Sequence, residues 1–385
     1  MELSEILNHY GEAHEKYFNA VSPPIIQTSN FYFNSVDEMK TALENEFSEP
    51  VYSRGNNPTV EILRKKLAAL EGTEDALILA SGCAAISSAI IANVRAGDHV
   101  ICVKSPYGWT ASLLKNLLPR FGVETTFVDG SDIKNFEIAI RENTRVIYLE
   151  SPNSFLFEMQ DLKAVSSLAK AENIITLIDN SYATPLCQKP AEMGIDIVLH
   201  TASKYLSGHS DVVAGVVCAN SPMIRKIFAS EFMTLGGIIS PFDAWLLIRG
   251  LRTLRLRLEQ STRTALQVID FLDNHPSVEK IFYPFHEKNP QLKMAQSQMK
   301  SANGMFTVAF RTDARQKMVE FCNHLKVFKM AVSWGGHESL ISPVVAFPGS
   351  HDNTALPWNL VRFYVGLDEP DLLLKDLEAA LKYLE

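Results

Sequence analysis

Paired cysteines, basic clusters, low-complexity tracts and uninterrupted apolar spans are all missing from this 385-residue chain, and each absence removes a class of function. The five cysteines, Cys83, Cys102, Cys187, Cys218 and Cys322, are widely spaced, odd in number and never arranged Cys-x-x-Cys. That argues against a disulfide framework and a zinc site, and for a reducing compartment, the cytoplasm. A formal charge of −8 leaves no electrostatic footprint for nucleic acid or an anionic membrane. The densest basic segment, Arg249 to Arg257, alternates arginine with leucine and reads as a half-buried helix with a solvated or subunit-facing edge. Residues 1–18 are charged throughout and lack the apolar core of an export signal. Ala76 to Val94 is free of charge, but Ser81, Gly82, Ser87, Ser88 and Asn93 interrupt it. A strand, a turn and a helix starting near Ala84 fit that stretch better than a membrane span. The Gly-x-x-x-x-Gly-Lys-Ser/Thr phosphate loop and the His-Glu-x-x-His zinc helix are absent too.

What is present is an ordinary globular composition, 46% hydrophobic and 21% charged, on a chain long enough for two domains. Residues 1–52 carry Pro23-Pro24 and short aromatic runs without a sustained period, and read as an extended inter-subunit arm. Residues 53–245 alternate short apolar runs with helical patterns. The expected strands are Ala76–Leu79, His99–Val103, Glu124–Val128, Val146–Leu149, Ile174–Ile178, Ile197–Leu199 and Ala214–Cys218. Near-continuous apolar strands separated by helices imply an α/β fold with a mostly parallel sheet covered on both faces. Residues 246–385 read as a smaller α+β domain, with strands at Met305–Phe310 and Val361–Val365 and a closing helix over Asp371–Leu384.

Ligands of such sheets bind beyond the carboxyl ends of the strands. Two residues there pose opposite problems. Asp179 ends an apolar strand, where a carboxylate is costly without a cation or hydrogen bonds, unless it merely caps the following segment. Lys204 follows another apolar strand; burial lowers a lysine's pKa and makes it a nucleophile for carbonyls, although such a residue can also be a plain ion-pair partner. Together they fit pyridoxal phosphate (PLP), which needs a lysine for its aldehyde and an acid for its pyridinium nitrogen. Ser81-Gly82-Cys83 at a strand-to-helix turn offers backbone donors for the phosphate, Thr201 and Ser203 add hydroxyls, and Tyr107 is placed to stack on the ring.

Nine segments in order resemble the trans-sulfuration, or Cys/Met-metabolism, family of PLP-dependent enzymes: those beginning at Tyr52, Ser81, Ser105, Glu150, Asp179, Ser203, Ser240, Ser333 and Val361. The resemblance implies fold type I, like aspartate aminotransferase, and a homotetramer built from two dimers. It assigns Lys204, Asp179 and Tyr107 to catalysis and Tyr52 and Arg54 to the cofactor phosphate of a neighbouring subunit, although those two also fit a polar turn. Arg362 becomes the clamp on the substrate α-carboxylate, with Ser333, Trp334, Asn153 and Glu338 around the substrate. Ser154 occupies the place where γ-eliminating members usually carry asparagine, leaving open whether it or Asn153 meets the ring oxygen. Trp109 stands where methionine γ-lyases place cysteine, and Cys83 where many members have methionine. The Ser333–Gly336 and Glu158–Asp161 segments are more similar to bacterial cystathionine β-lyases. The implied activity is carbon–sulfur cleavage, with β-elimination from L-cystathionine favoured over γ-elimination. Cystathionine γ-synthase or O-acylhomoserine sulfhydrylase chemistry is the alternative, methionine γ-lyase a more distant one.

Overall fold

The structure, a computed structural model, describes residues 1–347 and 356–384. Seven strands form the larger sheet: β1 (Asp75–Leu79), β2 (His99–Val103), β3 (Glu124–Val128), β4 (Thr144–Glu150), β5 (Ile175–Asp179), β6 (Ile197–Thr201) and β7 (Gly215–Ala219). Their order is β1-β7-β6-β5-β4-β2-β3, and only β7 runs against the others. Along each strand, successive residues enter different cores. Ala76, Ile101, Ile147 and Ile178 join one cluster, while Leu77, Val100, Val146 and Leu177 join the other. Burial on both faces explains why these strands read as continuous apolar runs.

The direction of the strands gathers the chemistry at one edge. The last residues of β1, β4, β5 and β6 end there, and β7 begins there. Glu150 and Asp179 face each other in register across β4 and β5. The backbone of Gly215 approaches Ser81 so closely that a Cβ would lie 2.1 Å from the Ser81 carbonyl oxygen, so only glycine fits. The uncharged stretch after β1 resolves into a turn and the helix Gly82–Ile91, capped by Ser81, whose Oγ accepts from Ala84 N at 3.0 Å. Among the described residues no helix is long and apolar enough to cross a membrane.

The second sheet contains β8 (Val278–Phe282), β9 (Met305–Phe310), β10 (Lys329–Met330), β11 (Leu340–Pro343) and β12 (Leu360–Tyr364), ordered β10-β11-β12-β9-β8. Its core is aromatic, with Phe306 stacked on Phe363 at 5.4 Å. The helix Leu254–Asp273 connects the two regions: Leu254 and Leu258 pack in the first core, Val268 and Leu272 in the second.

The basic segment forms the end of helix Pro241–Arg252 and the start of helix Leu254–Asp273. Arg257 is buried there and donates to the carbonyls of Tyr205 at 2.9 Å and Gly250 at 2.8 Å. It packs over Gly208, whose φ of +73° and missing Cβ make room for the guanidinium. That contact braces the turn carrying Lys204. The N-terminal residues differ from an arm without a core. Leu3–Asn8 is a helix whose Ile6 and Leu7 are buried in the chain's own core. The signal, Leu3-x-x-Ile6-Leu7, spans barely one turn, too short for a visible period.

Candidate active site

Six residues around Lys204, namely Ser81, Gly82, Tyr107, Thr201, Ser203 and Ser333, help to line a cleft of about 430 Å³ at the carboxyl edge of the larger sheet. The lysine sits in the turn after β6, where Lys204 N donates to Thr201 O at 3.2 Å and Gly208 N to Lys204 O at 2.8 Å. Its Nζ donates to Ser333 Oγ at 2.5 Å and lies 5.7 Å from the Trp334 ring centre. Burial, helped by the positive charge of Arg362 and opposed by Asp179, pushes the Lys204 pKa down to about 8. An amine so placed is available as a neutral nucleophile near physiological pH.

Asp179 is buried and accepts from Ser181 N at 2.9 Å. Burial raises its pKa, while the Ser181 hydrogen bonds and then the charges of His200 and Lys204 pull it back. Ser181 also accepts from Thr201 N at 2.6 Å through its hydroxyl, tying β5 to β6 at the site. Beneath it, buried His200 meets Glu71 at 2.9 Å.

Arg362, on β12, is 9% exposed and its Cζ stands 4.8 Å from the Phe155 ring centre. It donates to the Ser154 carbonyl at 3.5 Å and the Ser333 carbonyl at 3.4 Å. Burial lowers its pKa to about 10. Among the described residues no carboxylate pairs with it, so the planar fork remains available for an anionic group.

The remaining expected residues fall into distinct positions. Tyr107 is half-exposed in the cleft, and burial followed by the adjacent Cys83 side chain pushes its phenol up to about 12. Glu338 lines the cleft and accepts from Ser210 Oγ at 2.6 and 2.8 Å. Trp334 stacks edgewise on Tyr205 behind the lysine, with ring centres 5.4 Å apart. Asn153 does not line the cleft: its amide nitrogen donates to Glu158 Oε2 at 3.0 Å and its oxygen accepts from Glu158 N at 3.3 Å. Ser154 does not line the cleft either; its hydroxyl donates to Glu150 Oε1 at 2.6 Å. Tyr52 and Arg54 lie on an exposed turn, the guanidinium 5.3 Å from the ring centre, and do not line this chain's cleft. Three residues were missed from sequence: Glu150, Ser181 and Ser210. Glu150 carried a usable signal, since it ends an apolar strand just as Asp179 does.

These residues fit PLP on their chemistry alone: a lysine of depressed pKa, a buried carboxylate, a capped helix start beside hydroxyls, an exposed phenol ring and an unpaired buried arginine. The sequence profile of the Cys/Met metabolism PLP-dependent enzyme family matches residues 5–382. The chain belongs to this family. The family's members depend on PLP, and its fold type I architecture agrees with the sheet described above. An L-methionine gamma-lyase of Fusobacterium nucleatum subsp. nucleatum is 37% identical over 375 residues, covering 95% of this chain and 94% of that one. A cystathionine beta-lyase of Lactococcus lactis subsp. cremoris is 36% identical, covering 97% of each. The crystal structure of cystathionine gamma-lyase from Lactobacillus plantarum complexed with L-serine superimposes with a TM-score of 0.91 at 34% identity, covering 100% of this chain and 99% of that one.

Proposed function

We propose that this family member cleaves carbon–sulfur bonds of sulfur-containing amino acids, with β-elimination from L-cystathionine as its preferred reaction. The observation that carries the reading is Lys204 in the cleft, its Nζ on Ser333 Oγ and within the fields of both Arg362 and Asp179. Bound PLP supplies an electron-accepting pyridinium ring for the charge left when a substrate loses its α-proton. The chain's own residues do the rest. Ser81, Gly82, Cys83, Thr201 and Ser203 hold the phosphate, with backbone N–H groups and hydroxyls as donors. Asp179 holds the proton on the ring nitrogen, its negative charge favouring the pyridinium. Tyr107 covers one ring face and excludes water from it. Ser154, rather than Asn153, is the residue at the ring-oxygen side, because the Asn153 amide is spent on Glu158. Arg362 grips the α-carboxylate, Ser333, Trp334 and Glu338 surround the substrate, and Lys204 takes the α-proton on Nζ. Loss of the β-thiolate and uptake of water then give homocysteine, pyruvate and ammonia.

In this reading the region 53–245 binds the cofactor and 246–385 brings the substrate clamp. Tyr52 and Arg54, exposed and away from their own cleft, reach the phosphate of a second copy in a cytoplasmic homotetramer. The preference for β-elimination rests on Ser154 and Trp109, which depart from the γ-eliminating pattern. γ-Elimination is the second reading, favoured by the relative named L-methionine gamma-lyase. Product analysis separates them. Cystathionine incubated with the holoenzyme should yield pyruvate and homocysteine; 2-oxobutyrate as the sole oxo acid would refute the β-elimination reading.

A further inference from the structure

Glu150 takes no part in the proposed chemistry, yet its position is hard to justify by stability. It is the last residue of β4, buried, and directly beside a second buried carboxylate, Asp179. Two such carboxylates repel and each loses hydration. Burial, with the Asp179 charge next in size, raises the Glu150 pKa to about 7. A glutamine or an apolar residue would relieve that penalty. What Glu150 gains is a grip on two separate segments. Its Oε2 accepts from Tyr107 N at 2.6 Å, and its Oε1 accepts from Ser154 Oγ at 2.6 Å.

The contacts continue around the cleft. The Ser154 carbonyl accepts from Arg362 Nη1 at 3.5 Å, Arg362 Nη2 donates to the Ser333 carbonyl at 3.4 Å, and Ser333 Oγ accepts from Lys204 at 2.5 Å. Glu150 is therefore the junction of a chain of hydrogen bonds running from the backbone of Tyr107 to the reactive lysine.

We propose that Glu150 is a positioning residue: it sets the plane of the Tyr107 ring and the direction of the Ser154 hydroxyl against the cofactor, and through Ser154 it seats Arg362. Because the Ser154 proton is given to Glu150, Ser154 presents an oxygen lone pair, not a donor, to the cofactor side. The inference rests on the PLP reading above.

The test compares holoenzyme of wild type, Glu150→Ala and Glu150→Gln, with PLP as the probe. The readouts are the visible circular dichroism induced in the cofactor, the rate of PLP loss to excess phosphate, and the melting midpoint of the PLP-free protein at pH 8. Glu150→Ala should release PLP at least about tenfold faster, the scale expected when two charge-assisted hydrogen bonds are lost, and should alter the induced dichroism. Its PLP-free form should melt no lower than wild type. Glu150→Gln keeps an acceptor for Tyr107 N, but its Nε2 must donate to Ser154 Oγ and so frees the Ser154 proton toward the cofactor. Its PLP loss should fall between those of wild type and Glu150→Ala, with an induced dichroism different from wild type; wild-type dichroism in this variant would refute the role given to the Ser154 hydroxyl. A Glu150→Ala protein with a lowered melting midpoint but wild-type dichroism and release rate would show a role in folding alone and overturn the proposal. Should Glu150→Ala fail to fold, Glu150→Asp replaces it. Its carboxylate, one methylene shorter, can serve only one of the two partners, and wild-type dichroism and release would again overturn the proposal. A wild-type protein without any visible band would instead refute the PLP assignment, a separate failure.

Discussion

Two lysines are drawn into this protein, and their surroundings could hardly differ more. Lys66, on the helix Pro58–Glu71, is fully buried, and its three donors meet Glu12 Oε1 at 3.0 Å and the carbonyls of Ile6 and Leu7 at 3.1 and 3.3 Å. Glu12 is buried with it and also pairs with Arg252 at 3.1 Å. Among the described residues Lys204 Nζ has one hydrogen-bond partner, the Ser333 hydroxyl, and the larger charge effect on it comes from a cation, Arg362, with Asp179 opposing it. Burial lowers both pKa values, and each lysine feels one carboxylate and one arginine: at Lys66 Glu12, which resists the fall, outweighs Arg252, whereas at Lys204 Arg362, which adds to it, outweighs Asp179. Burial alone therefore does not make a lysine reactive. The companion charge decides whether the ammonium is kept as a structural cation or surrendered as an amine.

The sharpest way to separate the two is to remove each in turn. Lys204→Ala should cut turnover by at least about a thousandfold, the upper range for loss of a general base, and abolish the visible band of covalently held PLP while leaving the far-ultraviolet dichroism unchanged. A variant retaining more than a tenth of wild-type turnover would place the base elsewhere. Lys66→Ala should do the reverse. Leaving Glu12 buried without its lysine, beside Arg252 and the more distant His14 ring, should cost about 3 kcal/mol in urea unfolding of the PLP-free protein, with the N-terminal helix Leu3–Asn8 released to proteolysis first. The covalently bound cofactor band should survive.

The contrast also explains what could and could not be read from the sequence. Strands such as His99–Val103 and Glu124–Val128 fall where expected because turn-forming residues bound each compact run. Lys204 and Asp179 stood out as single charges terminating apolar runs. Glu150 met the same criterion, but its purpose depends on Tyr107, 43 residues earlier in the chain. The Ser210–Glu338 contact joins residues 128 positions apart, so no local pattern could announce it. The N-terminal helix was hidden for a different reason: its apolar contacts come from Ile6 and Leu7 within barely one turn, and the carbonyls of the same two residues accept from Lys66, a contact to which hydrophobic periodicity is blind.

A smaller effect tests the electrostatics directly. In the PLP-free protein, covalent capture of an added aldehyde at Lys204 should rise with pH through about 8 and level off above it, because only the neutral amine attacks. The linkage has the same sign in stability. The folded state gives up this proton at lower pH than the unfolded chain, whose lysine titrates near 10.5. The unfolded state therefore binds more protons between about 8 and 10.5, and folding stability contributed by this site rises with pH across that window. Wild type should gain on Lys204→Met over the same interval in urea titrations. A capture profile still climbing steeply at pH 10 would mean that the site does not lower the lysine's pKa.

The finest test changes the companion charge and leaves both lysines in place. Arg362→Gln removes the cation that helps to push the Lys204 pKa down, leaving Asp179, which acts in the opposite direction. The midpoint of aldehyde capture should then move to higher pH, while burial keeps it below that of an exposed lysine. The same variant loses the bidentate fork proposed for the α-carboxylate, so KM for cystathionine should rise about tenfold or more, with the two effects separable because capture of a simple aldehyde needs no carboxylate clamp. A midpoint unchanged by Arg362→Gln would assign the lowered pKa to burial alone, and the difference between Lys66 and Lys204 would then lie in the presence of Glu12 beside the first and not in the presence of Arg362 beside the second.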